Sequence, residues 1–251
     1  VNLVLLEAEE IREGMVVLSG RRARHLLDIL RVQPGSMVRL GVIGGRQGRG
    51  EVLWLDTTAV ELRVELSGQM PSPPLVELIL ALPRPIMLQR ILKQATVLGV
   101  YRLHLIRSQR VEKSYFSSPV LGAEKMRSLL LEGMEQAMDT WLPEVHIHPR
   151  FRPFVEDVLP GLPGSGLIAH PLASSSLADV FTLPTPDAPL LLAIGPEGGW
   201  NEFEVRSFLD CGFASFSMGS RILHVDTAVV ALMAQIDLLC SLQANQLRVK
   251  R

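Results

Sequence analysis

The sequence predicts an α/β protein in two parts: a small N-terminal β-barrel, then a larger domain built on a mainly parallel sheet with helices on its faces. Three observations carry this. Short β-like runs separated by glycine turns fill the first seventy residues or so, the spacing of a small all-β unit. The segment Met70-Pro71-Ser72-Pro73-Pro74 follows, where fixed proline φ angles and missing N–H donors favour an extended linker. Beyond it, strand-like and helix-like patterns alternate, as in a parallel sheet with crossover helices. The expected domains are therefore 1–70 and 71–251.

In chain order, β-like runs cover residues 16–18, 37–40, 50–55 and 60–66. The last alternates apolar and polar over seven residues, the period of a half-buried strand. A helical pattern over 22–31 interrupts them, with Leu26, Leu27 and Leu30 on one face. After the linker, 75–82 reads as a strand and 86–98 as a helix with Leu88, Ile91, Leu92, Ala95 and Leu98 on one stripe. Gly99 is placed to stop it. A strand over 103–106 precedes a helix over 124–138, with Leu129, Leu130 and Met134 inward. Strands follow at 167–169 and 190–194. Asn201 can cap a helix with Glu204 three residues on, and Gly212 can end it. A strand over 213–217 and a helix over 227–242 complete the order.

A hydrophobic content of 47% supplies a sizeable core, and a net charge of −1 gives no global sign of a polyanionic partner. Locally, residues 84–152 hold eleven Lys/Arg against six Asp/Glu, so one face can meet an anion. The two cysteines, Cys211 and Cys240, lack metal-ligand spacing; no metal site and a reducing cytoplasm are expected. The initial residues lack a signal-peptide layout. The longest apolar stretch, 228–240, is broken by Gln235 and Asp237 and is short of the ~20 residues that span a bilayer. It reads as a buried helix, with no membrane partner.

The chemistry concentrates in two turns. Ile194-Gly195-Pro196-Glu197-Gly198-Gly199-Trp200 follows an apolar strand, and Met218-Gly219-Ser220-Arg221-Ile222-Leu223 follows the next. Glycines allow sharp turns and close backbone approach to a ligand, and open α/β sheets bind ligands beyond the carboxyl ends of their strands. Backbone groups there suit an adenine edge or ribose, with Met218 and Leu223 against the base. The plainer reading is two tight turns with glycines for steric reasons. Neither a G-x-G-x-x-G fingerprint nor a P-loop is present.

These two turns, with Thr227-Ala228, resemble the ribosomal RNA small subunit methyltransferase E family. So do Arg24-His25-Leu26 with Leu30-Arg31 and Gly35, the stretch from Leu92-Lys93-Gln94 through Val100, and Glu135-Gln136 with Pro143-Glu144-Val145. The resemblance spans the chain. It implies a PUA-like N-terminal barrel that helps hold RNA, a SPOUT-type C-terminal α/β domain with a deep trefoil knot, and a homodimer through the knot. It implies S-adenosylmethionine as cofactor and N3 of a 16S ribosomal RNA uridine, in the small subunit, as target. The implied cofactor wall is Ile194, Gly195, Pro196, Gly198, Gly199, Met218, Gly219, Ile222 and Leu223, with His170 on a third loop. The chain departs from the family at Arg84-Pro85-Ile86-Met87, Ala137-Met138-Asp139 and His224. Another ribosomal or transfer RNA position, or a non-catalytic RNA-binding assembly factor, are the competing expectations.

Methyl transfer to a uridine N3 needs in-line positioning and loss of the N3 proton. Arg221 is placed to contact RNA or the anionic base, Glu197 to shape the pocket or accept the proton, and His224 to act as a base. The plainer readings are an Arg221–Glu197 ion pair that stiffens both turns and a packed histidine. Arg21, Arg22, Arg24, His25 and Arg31 form a basic cluster suited to phosphates, or an ordinary exposed helix face. Arg107, Arg110 and Lys113 are placed to extend that track. The cysteines are read as packing residues rather than nucleophiles.

Overall fold

A computed structural model of the chain describes residues 3–249. The chain divides into two units: residues up to Ser72 together with Leu131–Leu142, and Pro73–Leu130 together with the residues from Pro143 on. The division falls inside the proline-rich run. The first unit is more than one continuous segment, because residues 131–142 pack within it. Met134 is fully buried with Leu3 and Leu5, and Thr140 Oγ1 donates to the Gly45 carbonyl at 2.7 Å.

The first unit is one mixed sheet of β1 (Val4–Leu6), β2 (Met15–Ser19), β3 (Met37–Val42), β4 (Gln47–Leu55) and β5 (Ala59–Glu65). Its order is β1-β3-β4-β5-β2, with β1 parallel to β3 and the other pairs antiparallel. β1 and β2 stand at opposite edges, so the sheet is a half-barrel where the sequence pattern suggested a small β-barrel. The apolar faces meet in a core that includes Leu6, Leu18, Leu26, Leu40 and Leu62. β1 escaped the sequence pattern because three consecutive apolar residues carry no period.

The helix expected over 22–31 is an α-helical turn, Gly20–Arg24, continued by a π-helical turn, His25–Ile29. It ends where Arg31 takes a φ of 51°. Two arginines of the proposed phosphate cluster on it have carboxylate partners. Arg21 forks onto the Glu135 carboxylate and stays largely exposed. Arg22, half-buried, donates to both Glu10 oxygens and to the Leu5 carbonyl, and the guanidinium holds the Glu10 carboxyl below its ordinary range. His25 is half-buried and Arg24 reaches back towards the Gly20 carbonyl; Arg31 is exposed.

The second unit is a six-stranded sheet of β6 (Val76–Ala81), β7 (Arg102–Ile106), β8 (Glu144–His148), β9 (Ser165–Ala169), β10 (Leu190–Ile194) and β11 (Ala214–Phe216). All neighbours are parallel, in the order β11-β9-β10-β6-β7-β8. β6 and β10 are buried along their whole length, which is why they read as unbroken apolar runs and not as alternation. The helix Pro85–Val97 starts with proline at a position that needs no N–H donor. It buries Leu88, Ile91, Leu92 and Ala95 and stops before Gly99 at φ 77°. β8 is an edge strand with exposed polar residues, so no apolar run announced it.

The final helix, Val225–Val249, is longer than expected. Its Val225–Gln246 portion is long and apolar enough to cross a bilayer by length and composition, which corrects the sequence reading that it is too short. Its buried residues, Val225, Val229, Leu232, Met233 and Ile236, form one stripe, the pattern of a helix packed on a protein core.

A polar chain runs across the strands from β6 to β8. Buried Glu77 meets His104 Nε2 at 3.1 Å and Arg102 at 3.2 Å, and His104 Nδ1 meets His148 Nε2 at 3.1 Å. Desolvation, with His104 and His146 nearby, lowers His148 from 6.5 to about 4. Between those values the unfolded chain binds more protons than the folded one, so stability falls as pH drops through this window and the effect is complete below it. The thermal midpoint of His148→Gln is expected to fall less than that of the unmodified protein between about pH 7 and about pH 4. Identical slopes in thermal unfolding would contradict this role.

Candidate functional site

Adjacent parallel strands point their carboxyl ends the same way. β11, β9 and β10 are neighbours in the sheet, so the loops that leave them, at 217–223, 169–171 and 195–200, gather at one end. They line a cavity of about 240 Å³. Ile194, Gly195, Pro196, Gly198, Gly199, Met218, Gly219, Ile222, Leu223 and His170 all lie in its wall, as do Glu197 and Arg221. His224 does not: it is exposed, and its carbonyl accepts the Ala228 N–H at 2.8 Å as the last helix begins.

The local reasons differ from loop to loop. Gly199 and Gly219 sit at φ 74° and 111°, a region that side-chain-bearing residues avoid. Gly195 has an ordinary φ but no room, since a Cβ there would meet the Trp200 indole at 3.0 Å. Trp200 is buried and packs against Phe208, with ring centroids 5.3 Å apart and the planes tilted. Arg110, expected on an RNA track, is exposed and donates to the Gly198 carbonyl of the glycine turn. The Asn201–Glu204 capping box forms as expected: Asn201 Oδ1 accepts the Glu204 N–H at 2.8 Å, and Glu204 accepts the Asn201 N–H at 3.0 Å. A second Glu204 oxygen accepts the Gln109 N–H at 2.7 Å, tying the turn to the loop after β7. On the opposite wall, Ser217 Oγ accepts the Gly219 N–H at 3.2 Å, and His170 Nδ1 accepts the Leu172 N–H at 3.3 Å.

Glu197 does not pair with Arg221. Its partner is Arg84, at 3.1 Å, which also reaches Tyr115. Arg221 is exposed and has no carboxylate partner among the described residues. Arg107 lines a separate groove, and Lys113 is exposed in a short 3₁₀ turn. Burial raises both the Cys211 and the Cys240 thiols, which disfavours the thiolate. Among the described residues no group of three His, Cys, Asp or Glu is arranged to hold a metal. The sequence reading missed Ala169, Trp200, Ser217, Val225 and Ala228 as wall residues. Trp200 stood in the motif itself; the other four carry no chemical signal outside the folded arrangement.

A parallel sheet with a backbone-lined cavity at its carboxyl edge defines a small-ligand-binding α/β unit. The family described as RNA methyltransferase domain matches residues 70–237. A Treponema pallidum protein named ribosomal RNA small subunit methyltransferase E is 32% identical, over 94% of this chain and 90% of its own length. A Synechocystis protein of the same name is 29% identical, over 94% and 77%. Among solved structures, a probable rRNA-methyltransferase from Porphyromonas gingivalis superposes with a TM-score of 0.79 at 22% identity, covering 97% of this chain and all of that one. A ribosomal RNA small subunit methyltransferase E from Neisseria gonorrhoeae, bound to S-adenosyl methionine, gives 0.76 at 23% identity over 95% and 97%. The chain belongs to the ribosomal RNA small subunit methyltransferase E family.

The cramped position at Gly195 is testable by stability alone. Gly195→Ala is expected to cost about 1–3 kcal/mol, because Trp200 is held by Phe208 and cannot easily give way. A loss under about 0.5 kcal/mol in urea unfolding would show that the indole moves freely.

Proposed function

We propose that the protein transfers a methyl group from S-adenosylmethionine to N3 of a uridine in 16S ribosomal RNA of the small subunit. The observation that carries the reading is the convergence of three strand-end loops on one cavity in a chain of this family. The cavity fits the cofactor's chemistry. Its wall offers apolar surface from Ile194, Met218, Leu223 and Val225, and the backbone of two glycine turns for an adenine edge. Trp200 Nε1, a buried donor without a partner, belongs to the same wall. When bound, S-adenosylmethionine supplies an electrophilic methyl on a sulfonium.

The chain's own residues then have two tasks. Met218, Gly219 and the 194–199 turn orient the cofactor. Arg221, on the cavity rim and free of a carboxylate partner, stabilises the uridine as its N3 proton leaves, since an anionic imide is the better nucleophile. Glu197 is held by Arg84 and shapes the rim. The proton passes to solvent or to Glu197 when Arg84 releases it. His224 stands outside the wall and has no part in this scheme.

The N-terminal half-barrel is, in this reading, a PUA-like module that helps to hold RNA. The second unit is a SPOUT domain whose last segments form the trefoil knot, supported by the strand order β11-β9-β10 around one cavity. A homodimer through the knot face is supported by Leu238 and Leu242, exposed on the last helix. A cytoplasmic location goes with a ribosomal substrate.

Arg221→Ala is expected to lower the single-turnover methyl-transfer rate at saturating RNA about a hundredfold, with S-adenosylmethionine affinity little changed. A normal rate would remove Arg221 from the chemistry. Mapping of modified bases in 16S ribosomal RNA from a strain lacking the gene should show one N3-methyluridine lost. An intact set of 16S modifications, with a loss elsewhere, would overturn the assigned target.

A further inference from the structure

The cofactor cavity has two hollows beside it. A cleft of about 970 Å³ shares His170, Gly199, Trp200 and Ile222 with it. That cleft in turn shares Gln109, Asn201 and Phe203 with a groove of about 550 Å³. The three adjoin through these residues, all of them in the second unit.

The far groove has an unusual wall. Arg107, Arg150 and Arg152 all face it, and none has a carboxylate partner among the described residues. Its carboxylate, Glu204, is 2% exposed, with both oxygens occupied by the Gln109 and Asn201 N–H groups. Phe203 is 50% exposed, the Arg152 guanidinium lies over its ring at 5.3 Å, and Phe151 meets it edge-on at 6.1 Å. On the adjoining cleft Arg206 is matched by Asp210 at 2.9 Å, Glu202 is exposed, and Arg110 adds a guanidinium that donates to the Gly198 carbonyl.

Unmatched guanidinium groups around an exposed ring suit a ligand that is both anionic and flat. A phosphodiester chain with unpaired bases has both properties. An acidic protein segment would satisfy the charge but has no need of the ring. A duplex would hide its base faces, and a target base must be out of its stack for chemistry. We propose that this groove holds the single-stranded RNA flanking the target nucleotide, one base stacked on Phe203 and the phosphates neutralised by Arg107, Arg150 and Arg152. The inference rests on the RNA methyltransferase reading and adds the route by which substrate reaches the cavity.

The test uses the full chain and a fluorescent oligouridylate of about twelve nucleotides, long enough to track the groove. Fluorescence anisotropy is read over a range of salt. The Arg150→Gln/Arg152→Gln variant should reduce the slope of log K against log salt by about 1.4, or ~0.7 per lost phosphate contact on a single strand. Phe203→Leu should weaken binding about tenfold, while Phe203→Tyr, which keeps a flat ring, stays close to the unmodified protein. Calorimetry with S-adenosylmethionine should give the same affinity for all variants, showing intact folding. Unchanged slope and affinity in the arginine and leucine variants would overturn the groove, as would equal losses in Phe203→Leu and Phe203→Tyr. Methyl transfer by the unmodified protein to small-subunit RNA is measured in parallel. Its absence, with the oligonucleotide results intact, would sink the enzyme reading and leave the groove standing; the converse pattern sinks the groove alone.

Discussion

The parallel pairing of β10 with β6 on one side and β9 on the other is the constraint from which the site follows. Parallel ladders force each strand to leave the sheet at the same edge, and β11 joins the set through β9. Residues 169, 195 and 219, far apart in sequence, thereby line one cavity. The pairing is secured by burial: β10 and β6 are covered on both faces, and a one-residue slip would reverse the facing of every side chain. A cavity built this way is lined by backbone and small residues held on rigid strand ends, not by a flexible loop cluster.

The two glycine turns are held by separate polar contacts, long-range for one and local for the other, rather than by each other. Arg110 braces the 195–200 turn from the loop after β7, and Glu204 ties its helix to the same loop. Ser217 closes the 217–219 turn locally. Arg84 takes the Glu197 carboxylate, which leaves Arg221 as the unmatched charge at the rim. The pairing joins residues more than a hundred positions apart in the sequence.

Basic residues sort into two groups by what they meet. Arg21 and Arg22 meet carboxylates and a carbonyl within the first unit. Arg107, Arg150 and Arg152 meet none and surround an exposed phenylalanine. A linear count of arginines cannot separate these groups, because an ion pair such as Arg21–Glu135 joins residues 114 apart. The same holds for His148, whose lowered pKa reflects burial beside two other histidines brought together by strand register.

Much was legible from the sequence alone. The proline run marked the division, the apolar stripes of 86–98 and 124–138 marked real helices, and the Asn201–Glu204 cap formed as its spacing implied. Ten wall residues of the cavity follow from the family resemblance; all but His170 lie in the two glycine-rich stretches at strand ends, a local signal with a local cause. The open edges of the first sheet, the strands β1 and β8, the placement of 131–142 in the first unit and the partners of Glu197, Arg21 and Arg22 were not. Each of these depends on which distant segments pair, and pairing is decided by burial across the whole fold. Sequence therefore determined where the backbone can bend around a ligand. Tertiary structure decided which charges are spent inside the protein and which remain free to meet one.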